Sequence, residues 1–169
     1  MPFVNLRVEQ FPAPLRPLLR LLRIDFRPTG SPAALALVLA TVVALAGSLV
    51  ADYLLVRLGT AVFPSTKGFV HFRFSDYSKL TIIGVVIACI AWPIVAQISS
   101  SARWLFLRAA VVVTIVLFVP DAWIWYQGSS AKAVFVLIWL HVAIAIVTYN
   151  ALVHLAPVRR VSRGRHARP

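Results

Sequence analysis

The stretch Ala33–Val56, AALALVLATVVALAGSLVADYLLV, carries one charged side chain, Asp52, in a run of otherwise small and apolar residues. About 20 predominantly apolar residues cross the ~30 Å hydrocarbon layer as a helix, so this stretch reads as a membrane span. Three more segments of the same kind follow it, Leu80–Ile98, Leu107–Tyr126 and Ala133–Val153. The first segment could also be taken for a signal-peptide core, with Ala-Leu-Ala before Gly47 resembling a cleavage site. Against that, the apolar run continues through LVADYLLV, and the leader before it is long for a signal peptide.

The composition of the whole chain agrees. Sixty per cent of its 169 residues are apolar, 13% are charged and the mean hydropathy is +0.86. Soluble domains have about 45–50% apolar and about 25% charged residues. The expected fold class is an all-α membrane protein, a four-transmembrane-helix antiparallel bundle. Residues 1–32 form a basic segment before the spans, 33–156 the transmembrane domain and 157–169 a disordered basic tail.

The net charge of +12 arises from 17 Lys and Arg against five Asp and Glu. Such a balance can signal nucleic acid, but here the cations lie in the two tails and in short connections between apolar runs, as topogenic charges do. If the amino terminus is cytoplasmic, only Arg57, Lys67, Arg73, Lys79 and Lys132 fall outside, and the other twelve cations fall inside. The positive-inside rule then puts both termini in the cytoplasm, and cations distributed in this way give no reason to expect nucleic acid as a partner. Tyr53, Tyr77, Trp123, Trp125 and Tyr126 gather at the outer boundary and Trp104 and Tyr149 near the inner one, in the manner of aromatic belts. Trp92 and Trp139 lie deeper and are expected to fill helix contacts.

Before the first span, PLRPLLRLLRIDFR (Pro14–Arg27) spaces Arg16, Arg20, Arg23 and Arg27 along one helical face, with leucines and Phe26 between them. This pattern predicts an amphipathic helix in the inner headgroup layer, its arginines contacting anionic lipid or a partner subunit. Pro28 and Pro32 end it. The longest connection, residues 57–79, holds two β-prone runs around PSTKG and predicts a short β-hairpin over the outer face. The other connections, Ser99–Phe106 and Gln127–Lys132, are short enough to make sequential spans antiparallel neighbours.

Ionisable residues inside spans are costly and are functional candidates by default. They are Asp52, Asp121 and His141. Asp121 and His141 fall at similar depth, so a carboxylate–imidazole pair is expected there, acting as a proton-responsive element, as a site for a polar headgroup, or simply holding two helices in register. Asp52, nearer its span's end, is expected to be a hydrated boundary residue close to Arg57. Pro93 and Pro120 interrupt backbone hydrogen bonding inside spans two and three.

No catalytic residue, metal site or cofactor is expected. The four histidines are scattered, and neither a phosphate loop, an HExxH motif nor a nucleophile elbow is present. Cys89, the single cysteine, lies in an apolar run and cannot form an intrachain disulfide. FVPDAWIW in span three, the QGSS turn and WLHVAIAIV in span four resemble a family of uncharacterised small four-helix membrane proteins from actinobacteria, over about residues 33–157, with Pro120, Asp121 and His141 the most distinctive positions. The resemblance implies a helical bundle in an actinobacterial inner membrane and no reaction. The leading functional expectation is a non-enzymatic accessory or stabilising subunit of a larger envelope complex, with lipid transport as the analogy. Its partners would be anionic lipid headgroups and other integral membrane subunits. The alternative is a small oligomeric carrier or proton-responsive transporter built on Asp121 and His141.

Overall fold

The computed structural model describes residues 8–21, 24 and 30–158, apart from the side chains of Val8, Leu18 and Arg20. Two single 3-10 turns, Val8–Gln10 and Ala13–Leu15, lead into a short helix α1 (Arg16–Leu21). Four long helices follow: α2 (Ala34–Val62), α3 (Phe74–Ile98), α4 (Ala102–Tyr126) and α5 (Ala131–Leu155). All four are long and apolar enough to cross a membrane. At ~1.5 Å per residue the shortest run for about 37 Å, longer than the ~30 Å hydrocarbon layer. The chain is a multi-pass helical bundle. Each helix runs several residues past the apolar segment seen in the sequence, because polar ends such as Phe74–Lys79 can remain helical at the level of the headgroups.

Residues 99–101 join α3 to α4 and residues 127–130 join α4 to α5, so consecutive helices run antiparallel. Gly128, with φ 96°, makes the second turn in a backbone conformation that suits glycine. Its N–H is bonded to the Trp125 carbonyl, which closes α4. The helices form a ring in chain order, closed by the most extensive interface in the molecule, α2 on α5. One end of the bundle, here the terminal end, gathers the start of α2, the α3–α4 turn and the end of α5. The opposite end carries the α2–α3 connection and is called the loop end.

Each end has its own core. At the terminal end Trp92 is fully buried, its ring 5.1 Å from that of Phe106, and its indole N–H donates to the Ala156 carbonyl at 2.9 Å. At the loop end Val56, Tyr77, Leu137 and Leu140 pack together, with Phe69 and Phe72 of the connection laid against them. The remaining surface is strongly apolar, with residues such as Leu35, Ile87 and Val116 more than half exposed, as lipid contact requires.

Two expectations change. The α2–α3 connection forms 3-10 turns at Pro64–Thr66 and Val70–Phe72, and no β-hairpin is present there. Pairing Phe69 with Phe72, three residues apart and 5.1 Å between ring centroids, puts both rings on the loop-end core; a strand would have sent them to opposite faces. The amino-terminal helix is also shorter than the Pro14–Arg27 pattern predicts. Ile24 is already outside it, with its N–H on the Leu19 carbonyl and its side chain against the terminal-end core. Arg16 is in α1, where its Nε donates to the Phe11 carbonyl at 2.9 Å. Arg23, Arg27 and the Arg20 side chain lie outside the described residues, as does the tail from 159 onward.

Candidate functional site

On α2 the buried positions Ala40, Ala44, Ser48, Asp52, Val56 and Gly59 recur every three or four residues and form one stripe. Their small size lets α2 approach α5 closely. A Cβ added at Gly59 would meet Val136 Cγ2 at 2.6 Å, and one at Gly47 would meet Val147 Cγ1 at 2.9 Å. The stripe therefore carries Ser48 and Asp52 directly into the interior. Ser48 faces Thr148 of α5 at 3.5 Å between hydroxyls.

Asp52 is fully buried and ten residues short of the end of α2, about 15 Å along the helix. It is therefore not the hydrated residue expected beside Arg57. The sequence misleads here because α2 continues through Val62, past Arg57. Arg57 is exposed, with its guanidinium 5.6 Å from the centroid of the Tyr53 ring. The partner of Asp52 is Thr81 of α3, whose Oγ1 donates to Oδ2 at 2.6 Å. Oδ1 of Asp52 is buried and has no hydrogen-bond partner.

The expected pairing of Asp121 with His141 is present. Asp121 Oδ2 lies 3.1 Å from His141 Nδ1, across the α4–α5 contact. The same Nδ1 is 3.0 Å from the Leu137 carbonyl one turn back on α5. A ring nitrogen carries at most one hydrogen, so it serves one acceptor at a time. With that hydrogen on Leu137, Asp121 Oδ2 is a second buried carboxylate oxygen without a donor. The edge of Phe118 covers the imidazole, with ring centroids 6.3 Å apart.

Each of the four long helices thus contributes to one polar layer between the two apolar cores: Asp52 from α2, Thr81 from α3, Asp121 from α4 and His141 from α5. The layer does not converge as a metal centre does. Among the described residues no group of three or more His, Cys, Asp or Glu side chains is placed to hold a metal ion. With both carboxyls ionised and the imidazole neutral it carries two negative charges, so two protons bring it to neutrality. The Asp121–His141 contact offers a place for one of them. A proton on Asp121 Oδ2 could donate to an unprotonated Nδ1, and a proton on Nδ1 could donate to either Leu137 or Asp121.

Thr81, Ser48 and Thr148 carry no charge and were not singled out by the sequence. Ser48 was recoverable, since it continues the four-residue repeat of Ala40, Ala44 and Asp52. Thr81 follows directly from no local pattern.

The chain matches no protein-family model, no curated protein and no solved structure in the comparisons made.

Proposed function

We propose that this protein is a small proton-responsive carrier whose moving proton is handled by the Asp121–His141 pair. The observation that carries this reading is the 3.1 Å contact between Asp121 Oδ2 and His141 Nδ1 inside a lipid-facing bundle, beside a second buried carboxyl at Asp52. Two orphan carboxylate oxygens at this depth are costly, and a proton arriving at either relieves the cost. Both termini are cytoplasmic in this proposal, and the membrane is an actinobacterial inner membrane. Arg16, Arg20, Arg23 and Arg27 meet its anionic headgroups.

The test is proton flux into vesicles holding the purified protein, followed with an enclosed pH-sensitive dye. Wild type is expected to pass protons when a gradient is applied, and Asp121→Asn and His141→Gln to lose that flux while remaining folded and at normal abundance. If wild type is inert and both variants merely lose thermal stability, the pair is a structural tie and the proposal is wrong.

A second reading is a non-enzymatic accessory subunit of a larger membrane complex. It is favoured by α4, whose buried residues are Ala102, Leu105 and Phe106 near one end and Asp121 near the other. Between them Val112, Val116 and Val119 present an apolar edge that a neighbouring subunit's helices would cover. Purification from native membranes in mild detergent decides this reading: a stoichiometric partner supports it, and a chain that repeatedly emerges alone opposes it.

A further inference from the structure

The α4–α5 interface is tight at Asp121 and at Phe106 and open between them. There Leu107, Ala110 and Thr114 of α4 face Val142, Ala145 and Ile146 of α5 across a groove of about 380 Å³. That volume is within the ~300–1,000 Å³ usual for small-ligand sites. From Leu107 to Ile115 the groove runs about 12 Å along the helix axis. Its interior offers almost nothing polar. The Thr114 hydroxyl donates to the Ala110 carbonyl of its own helix, which leaves the methyl group for the groove.

The terminal end of the groove is different. Tyr149 and Asn150 line it there, and the Tyr149 hydroxyl reaches the Arg103 carbonyl at 3.4 Å. Arg103 occupies the turn before Leu107, on the helical line 103, 107, 110, 114 that forms the α4 wall. Its neighbour Arg108 is engaged, 3.5 Å from the centroid of the Trp104 ring and bonded to the Leu21 carbonyl. Arg103 is exposed, and among the described residues its guanidinium has no hydrogen-bond or ion-pair partner. The Asn150 amide nitrogen donates to the Ile146 carbonyl at 2.8 Å and the residue is exposed, so an apolar trough closed at one end by the Arg103 cation has the polarity of a phospholipid standing in its leaflet.

We infer that this groove is a binding site for one anionic phospholipid, with an acyl chain between α4 and α5 and the phosphate on Arg103 beside Asn150. Charge complementarity selects this occupant over a second copy of the chain, which has only five acidic residues in all and carries a net charge of +12. The site is independent of the proton-carrier reading, because it uses neither Asp121 nor His141.

The experiment uses the full-length protein in phosphatidylcholine vesicles containing a trace of phosphatidylglycerol with a photoreactive acyl chain. Labelled residues are mapped by mass spectrometry. Labels are expected to concentrate on the α4–α5 groove and to be displaced by unlabelled phosphatidylglycerol at far lower levels than by extra phosphatidylcholine. Arg103→Gln is expected to reduce labelling about fivefold, equivalent to the ~1 kcal/mol of one cation at an anionic surface. Ala145→Trp, which fills the groove, should remove it, and Val43→Trp on the exposed face of α2 should leave it intact. Labels spread evenly over the exposed faces of all four long helices would overturn the inference. So would equal displacement by the two lipids, or labelling that Ala145→Trp leaves unchanged.

Discussion

The two sides of α5 are built in contrasting ways. Toward α2 it meets a stripe of small residues, and the backbones approach until Gly59 and Gly47 have no room for a methyl group, although a smaller apolar groove of about 260 Å³ opens at the lipid edge of this seam between Leu58 and Trp139. Toward α4 it meets β-branched and aliphatic residues that touch at the ends and leave a groove between. In lipid no hydrophobic force draws helices together, so close packing and interhelical polar contacts decide which interfaces are tight. The α2–α5 seam has both, and the middle of the α4–α5 interface has neither. The contrast suggests a fixed element, α2 with α5, against which α4 is held chiefly by Phe106 and Asp121.

The largest effect is expected from Gly59→Leu. It drives a branched side chain into Val136, where even a Cβ would come within 2.6 Å, and it should cost about 3 kcal/mol, the upper end of overpacking penalties. Thermal unfolding in detergent measures it, and Val136→Ala in the same chain should restore part of the loss. If Gly59→Leu unfolds like wild type, the seam is not tight.

Thr81→Val and Thr114→Val make the same chemical change at two differently bonded hydroxyls. Thr81→Val removes the one hydrogen bond that the buried Asp52 carboxyl accepts among the described residues, and should cost about 2 kcal/mol, within the ~1–3 kcal/mol range for stranding a buried polar group. Next in size is Gly47→Ala, which meets only one methyl group of Val147. It should cost about 1 kcal/mol and be relieved by Val147→Ala. Thr114→Val, whose hydroxyl bonds only to its own helix, should change stability by no more than about 0.5 kcal/mol. Equal effects for Thr81→Val and Thr114→Val would show that the Asp52 carboxyl does not depend on the hydrogen bond from Thr81.

Much of this architecture could be read from the sequence, because a span is defined by a long apolar run and its length is set by the bilayer. All four spans were placed, and Asp121 and His141 were brought to the same depth by counting residues from the ends of their segments. The features that escaped depend on context. Phe69–Phe74 alternates like a strand, yet the loop-end core captures Phe69 and Phe72 together and a 3-10 turn results. Asp52 seemed to be near a boundary because Arg57 follows it, whereas α2 continues as a helix beyond that arginine. The partner of Asp52, Thr81, lies on another helix, and only the packing of α3 against α2 brings them together.

In the proposed carrier the imidazole of His141 exchanges a proton with the carboxyl layer around it. Nitrogen NMR of histidine-labelled protein in lipid nanodiscs, with His71, His154 and His166 replaced so that one imidazole remains, follows that proton at the ring itself. The His141 ring is expected to titrate as pH is varied, with a midpoint that moves in Asp121→Asn. A ring whose nitrogens stay unchanged across the pH range, or whose titration is the same with and without the Asp121 carboxyl, would contradict it.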